Sequence, residues 1–89
     1  MNENRSSDTA IKIACVMEKL KRKPWSYEGY QGYRISIVYS ERGAYIIEEG
    51  TFLDLHEIVL SEREMIEYLE SRSGHKIFDW IENKENENK

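Results

Sequence analysis

The spacing of hydrophobic residues first changes along this chain at its single proline, Pro24. Before it, Ala10, Ile13, Ala14, Met17 and Leu20 recur at three- and four-residue intervals, with Val16 widening the stripe, as on one face of a helix. After it, Tyr33, Ile35, Ile37 and Tyr39 alternate with Arg34, Ser36, Val38 and Ser40, the period of a strand with one buried face. A proline disfavours helical geometry in the residue before it, so the helix must stop there. A chain that switches from one period to the other has to bury a helix stripe against a sheet face.

The punctuation fills in the remaining elements. Asp8 or Thr9 can cap the first helix, which is expected to run to about Lys23. Residues 25–32 read as a loop, because Tyr27, Tyr30 and Tyr33 fall at every third position, which fits neither a strand nor a full helix. The first strand follows, then a reverse turn over residues 40–43 with Gly43 free to take positive φ. A second strand over residues 44–48 carries Tyr45 and Ile47 on one face and Ile46 on the other. Glu49 and Gly50 then make a hairpin turn, and a third strand starts at Thr51 with Phe52, Leu53 and Leu55, its end left open. Ser61 followed by Glu64 is a capping box that opens a helix with Met65, Ile66 and Leu69 on its apolar face. Gly74 closes that helix as its C′ residue, and Ile77, Phe78, Trp80 and Ile81 share one side of a short last helix. The expected fold class is α+β: a three-stranded antiparallel β-meander packed against an N-terminal helix and two C-terminal helices, in the order α-β-β-β-α-α. Residues 1–7 and 83–89 are expected as flexible tails around one domain spanning residues 8–82.

With 89 residues, 39% of them hydrophobic, the chain supports one domain with a modest core. The single cysteine, Cys15, excludes an internal disulfide framework and fits a reducing compartment. It lies between Ala14 and Val16, where it is expected as a small hydrophobe in or beside the core. No apolar run approaches the length of a membrane span, and the N-terminal residues lack the basic-then-apolar order of a signal peptide, so a cytoplasmic protein with no membrane partner is expected. Convergent chemistry is absent from the pattern. His56 and His75 lie on different elements, no pair of residues has zinc-ligand spacing, and no phosphate loop or nucleophile elbow occurs. No catalytic residue, metal ligand or cofactor is therefore assigned, and the chain reads as non-enzymatic.

Charge is what points to partners. Residues 1–45 hold eight Lys/Arg and five Asp/Glu, a net of +3; residues 46–89 hold five and twelve, a net of −7; together they give the overall −4. In the acidic half, Glu64, Glu67 and Glu70 recur at three-residue spacing on the outward face of the second helix. Glu48, Glu49, Asp54 and Glu57 add to the field. Such a carboxylate ladder can imitate the phosphates of DNA and attract a basic protein partner, such as a nucleic-acid-binding protein or a nuclease. A second reading places a nucleic-acid site in the basic, aromatic segment, with Lys19, Lys21, Arg22, Lys23 and Arg34 on phosphates and Trp25, Tyr27 and Tyr30 stacking on bases. The structural explanation of that segment is a helix whose terminal cations complement its dipole, followed by aromatics locked onto a sheet. A sequence pI near 5.2 is far from the basic footprint of nucleic-acid binders.

Size, acidity and the α-β-β-β-α-α order resemble small inhibitors encoded by phages and other mobile elements, notably the anti-CRISPR proteins that block the DNA-binding cleft of a nuclease. The resemblance spans residues 9–82 and rests on element order and charge; no motif transfers a functional residue. It implies an inhibitor or modulator whose acidic face engages a basic partner. The chain itself is expected as a monomer or a homodimer, since the basic stripe of one copy could meet the acidic ladder of another. The double-stranded-RNA-binding domain shares the αβββα order, but it places lysines at the start of its last helix, where this chain has Glu62 and Glu64.

Overall fold

The computed structural model describes residues 2–72 and 74–82. It is an α+β fold: a four-stranded antiparallel sheet with three helices on one of its faces. Helix α1 (Asn2–Leu20) leads into β1 (Trp25–Glu28), a 3₁₀ turn (Tyr30–Gly32), β2 (Arg34–Tyr39), β3 (Tyr45–Thr51) and β4 (Asp54–Leu60). Helices α2 (Glu62–Glu70) and α3 (Ile77–Glu82) complete the chain. The strands lie in sequence order, β1-β2-β3-β4, so every connection within the sheet is a hairpin.

The sheet has one strand more than the alternation predicts. Trp25 and Tyr27, expected in a loop, stand opposite Ile37 and Ile35 in β1. Their two-residue spacing is that of a strand, but it is masked by the three-residue spacing of Tyr27, Tyr30 and Tyr33. The latter two belong to the hairpin, whose sharp bend sets Gln31 at φ 60 and Gly32 at φ 81. Helix α1 starts at Asn2, ahead of the expected Asp8, with neither proline nor glycine in between to stop it. It ends at Leu20, short of Lys23, where backbone bonds from Arg22 and Lys23 to the Lys19 carbonyl close the last turn. Met1 and the expected tail 83–89 lie outside the described residues.

The second hairpin turn also moves. Strand β3 runs through Glu49 and Gly50, and Thr51 pairs with Asp54, which leaves Phe52 and Leu53 as the turn. Gly50 has a different job: at φ 144 it faces Leu55, and any Cβ there would collide with the Asp54 carbonyl. Glycine is required by the close approach of two strands rather than by a turn. The turn over residues 40–43 forms as expected, with Gly43 at φ 89 and its N–H donating to the Ser40 carbonyl at 2.8 Å.

Residues directly opposite one another share a face, so the register sorts the side chains. Trp25, Ile35, Ile37, Tyr45 and Ile47 point to the helices and are buried with Ile13, Val16, Met17 and Leu20 of α1, Met65 and Leu69 of α2, and Ile77 and Phe78 of α3. Ser26, Glu28, Arg34, Ser36, Val38, Ile46, Glu48, Leu55, Glu57 and Val59 point the other way, to a face that carries no helix among the described residues. Strand β4 contributes no side chain to the buried core.

Two expectations about the helices change. Cys15 is exposed, because a 100° step per residue turns it away from Ile13. Helix α2 stops at Glu70, before Gly74 can act as C′: the Ser71 N–H donates to the Glu67 carbonyl, and its hydroxyl donates back to the Tyr68 carbonyl at 2.9 Å. At the other end the capping box is complete, with Glu64 N–H on the Ser61 hydroxyl at 3.2 Å and Ser61 N–H on Glu64 Oε1 at 2.9 Å.

Two substitutions separate a required polar contact from a costly one. Ser61→Ala removes the cap and should destabilise by about 1 kcal/mol. Tyr45 is fully buried and its hydroxyl has no hydrogen-bond partner among the described residues. Tyr45→Phe therefore relieves an uncompensated desolvation and should leave stability unchanged or raise it by up to about 1 kcal/mol. Urea unfolding of the two variants checks both signs.

Candidate functional site

Helices α1 and α2 do not close fully on each other. Ala10 and Ala14 are expected in the core stripe but are exposed, and being small they leave a groove floored by Ile13 and Met17 of α1 and Ile66 of α2. Its volume is about 270 Å³, and its lining is mostly apolar. The rim is charged: Glu18 and Lys21 on α1, Glu62 and Glu70 on α2. Lys21 lies 4.0 Å from Glu18 and so offsets that carboxylate. Glu62 and Glu70 have no cation within ion-pair distance among the described residues, so the rim is net negative. Close to the groove is the orphaned Tyr45 hydroxyl, pushed up to about 12 by burial first and by the nearby Glu62 carboxylate second.

The seven carboxylates singled out from the sequence do not form one continuous face. Glu64, Glu67 and Glu70 are all exposed on α2, but Glu64 is engaged in the cap and only Glu70 reaches the groove. Glu48 and Glu57 stand opposite each other on the helix-free face of the sheet. Asp54, at the hairpin, sits 3.3 Å from His56 Nε2. Glu49 points under the helices, where it accepts a hydrogen bond from the Tyr33 hydroxyl at 2.8 Å.

The basic, aromatic segment is largely absorbed into the fold. Trp25 is 8% exposed and packs against Trp80 and His75, so it offers no face for a base to stack on. Lys19 places its ammonium 4.6 Å from the Trp80 ring centre, and Lys76 covers Tyr27 at 5.3 Å. Tyr30, 92% exposed, is the residue of the set that remains open as a stacking platform. Lys21, Arg22, Lys23 and Arg34 are exposed, but Arg34 lies on the helix-free sheet face, opposite Glu28.

A polar network that the sequence does not reveal joins four elements. Tyr33, Glu49, Arg72, Tyr68 and His75 come from the β1–β2 hairpin, β3, the end of α2 and the approach to α3. Their separation along the chain hides them. Arg72 is 4.0 Å from Glu49 and stacks over the Tyr68 ring at 4.5 Å. Burial, then the hydrogen bond to Glu49, pushes the Tyr33 phenol up to about 12. His75 Nδ1 accepts the Ile77 N–H at 3.1 Å, which puts the ring proton on Nε2, 3.4 Å from the Tyr68 hydroxyl. Both ring nitrogens are thus spent on holding the start of α3, an arrangement suited to structure rather than to moving a proton on a substrate.

Among the described residues no group of three His, Cys, Asp or Glu could hold a metal ion, and no helix is long and apolar enough to cross a membrane. No protein-family model, curated protein or solved structure matches this chain.

Burial lowers the His75 pKa from its ordinary 6.5, and the Arg72 cation lowers it further. The unfolded chain therefore takes up a proton before the folded one does. The stability His75 contributes is present above about pH 6.5 and is lost as pH falls through the folded-state value. His75→Asn keeps a side-chain acceptor for Ile77 but does not titrate. Between about pH 7.5 and about pH 5.5 the urea midpoint of the native chain should fall more than that of this variant.

Proposed function

We propose that this chain is a non-enzymatic interaction protein, an inhibitor or modulator, whose acidic α1–α2 groove takes a cationic amphipathic segment of a basic protein partner. The observation that carries the reading is the combination in one place of an apolar floor and a net-negative rim. An apolar floor gives affinity, at roughly 25 cal/mol per Å² removed from water. Carboxylates at the rim stay solvated, so they act mainly on encounter rate and partner choice. A segment with apolar residues on one face and Lys or Arg beside them matches both parts, in the manner of a helix laid into a groove.

A partner that uses such a basic segment on nucleic acid would be blocked by occupancy of the groove. The inhibitory part of the reading rests on the acidity and size shared with anti-CRISPR proteins; the fourth strand departs from their expected element order. Direct binding of nucleic acid gains no support from the placement of Trp25 in the core.

A fluorescent cationic amphipathic helical peptide tests the groove by anisotropy. Glu62→Lys combined with Glu70→Lys should weaken its binding by about tenfold, with affinity falling as salt rises, since each rim pair is worth up to about 1 kcal/mol. Glu67→Lys, outside the groove lining, should change it little. Undiminished binding by the double variant, with its circular dichroism intact, overturns the assignment.

A further inference from the structure

From the far side of the sheet we infer a second docking site: the free edge of β4 accepts an extended cationic segment of a partner protein as a fifth strand. Among the described residues strand β4 pairs only with β3, so its other edge presents a row of backbone donors and acceptors. Six of its seven residues are exposed, among them Leu55, Ile58 and Val59, and the hairpin before it carries Phe52 and Leu53 at 73% and 86% exposure. Edge strands are normally protected by lysine, proline or brevity. Residues 51–60 contain no lysine, arginine or proline, and β4 is as long as its neighbour β3. The opposite edge, β1, is shorter and anchored by the buried Trp25.

Charge selects the occupant. Glu57 faces Glu48 across the β3–β4 register, a like-charge pair that costs stability, and neither has a cation within ion-pair distance among the described residues. His56 is the one basic group on β4, and it already lies against Asp54. A second copy of this chain would bring its own Asp54 and Glu57 to the edge and add to the repulsion. A strand bearing Lys or Arg opposite Glu57 relieves it. Since opposed residues share a face, and Leu55 and Val59 flank Glu57 on that face, the fitting pattern is apolar-x-basic-x-apolar. This site shares with the α1–α2 groove only the cationic character of the partner; either can fail without the other.

Two synthetic peptides test it, one repeating Val-Thr-Lys-Thr, which alternates valine and lysine along one face, and one repeating Val-Thr-Glu-Thr. The lysine peptide should bind saturably and slow amide hydrogen exchange along β4, and the glutamate peptide should not. Glu57→Lys, which also turns the like-charge pair into an opposite one and so should fold, is expected to weaken the lysine peptide about fivefold and to admit the glutamate peptide. Binding of neither peptide, or protection confined to the α1–α2 groove, overturns the inference. So does a β4-mediated dimer in sedimentation that the lysine peptide fails to compete away.

Discussion

One buried face organises this molecule. Ile35, Ile37, Tyr45 and Ile47 of the two central strands meet the stripe of Ile13, Val16, Met17 and Leu20 on α1, and the short helices α2 and α3 complete the same layer. A chain of 89 residues has enough apolar surface for two layers and not for three. The helices therefore spend their apolar sides on one face of the sheet, and among the described residues nothing packs on the other face or pairs with the outer edge of β4. Both candidate docking sites are consequences of that shortage: the groove where α1 and α2 diverge over small alanines, and the strand that the helix layer touches mainly at its last residue, Leu60.

Several cations take part in the packing as well as in the surface charge. Lys19 lies over Trp80, Lys21 over Tyr39, Arg72 over Tyr68 and Lys76 over Tyr27. Each of these stacks a positive head on an aromatic face and covers apolar surface with its stem. Most of the carboxylates named from the sequence have no comparable engagement within the fold. Arg22, Lys23 and Arg34 stay exposed beside the outward glutamates, so the surface carries both signs with the acidic one in excess.

Much of this was legible from residue patterns. Ile13, Val16, Met17 and Leu20 of the α1 stripe, the alternation of β2 and β3 and the Ser61–Glu64 capping box each have a local cause, and each appears where its pattern places it, whereas Ala10 and Ala14 of the same stripe are exposed. What stayed hidden depends on contacts between distant parts of the chain. Strand β1 exists because Trp25 and Tyr27 meet Ile37 and Ile35. The role of Gly50 comes from the approach of Asp54, and a turn made of Phe52 and Leu53 has none of the usual turn chemistry to announce it. The glutamate spacing on α2 correctly marked an outward face. The groove could not be read from it, because it needs Ile13 and Met17 as floor, with Ala10 and Ala14 making room, from a helix some fifty residues earlier.

The absence of β4 from the core has a consequence for how the chain can change over generations. Substitution at an exposed position away from caps and special backbone geometry usually shifts stability by no more than about 0.5 kcal/mol. Leu55, Glu57 and Val59 sit in such positions, whereas Ile37, Tyr45 and Met65 are hemmed in on every side. The edge strand is free to vary its side chains while the layer beneath holds the architecture constant. An element so decoupled is where this fold has the widest latitude to accept new side chains.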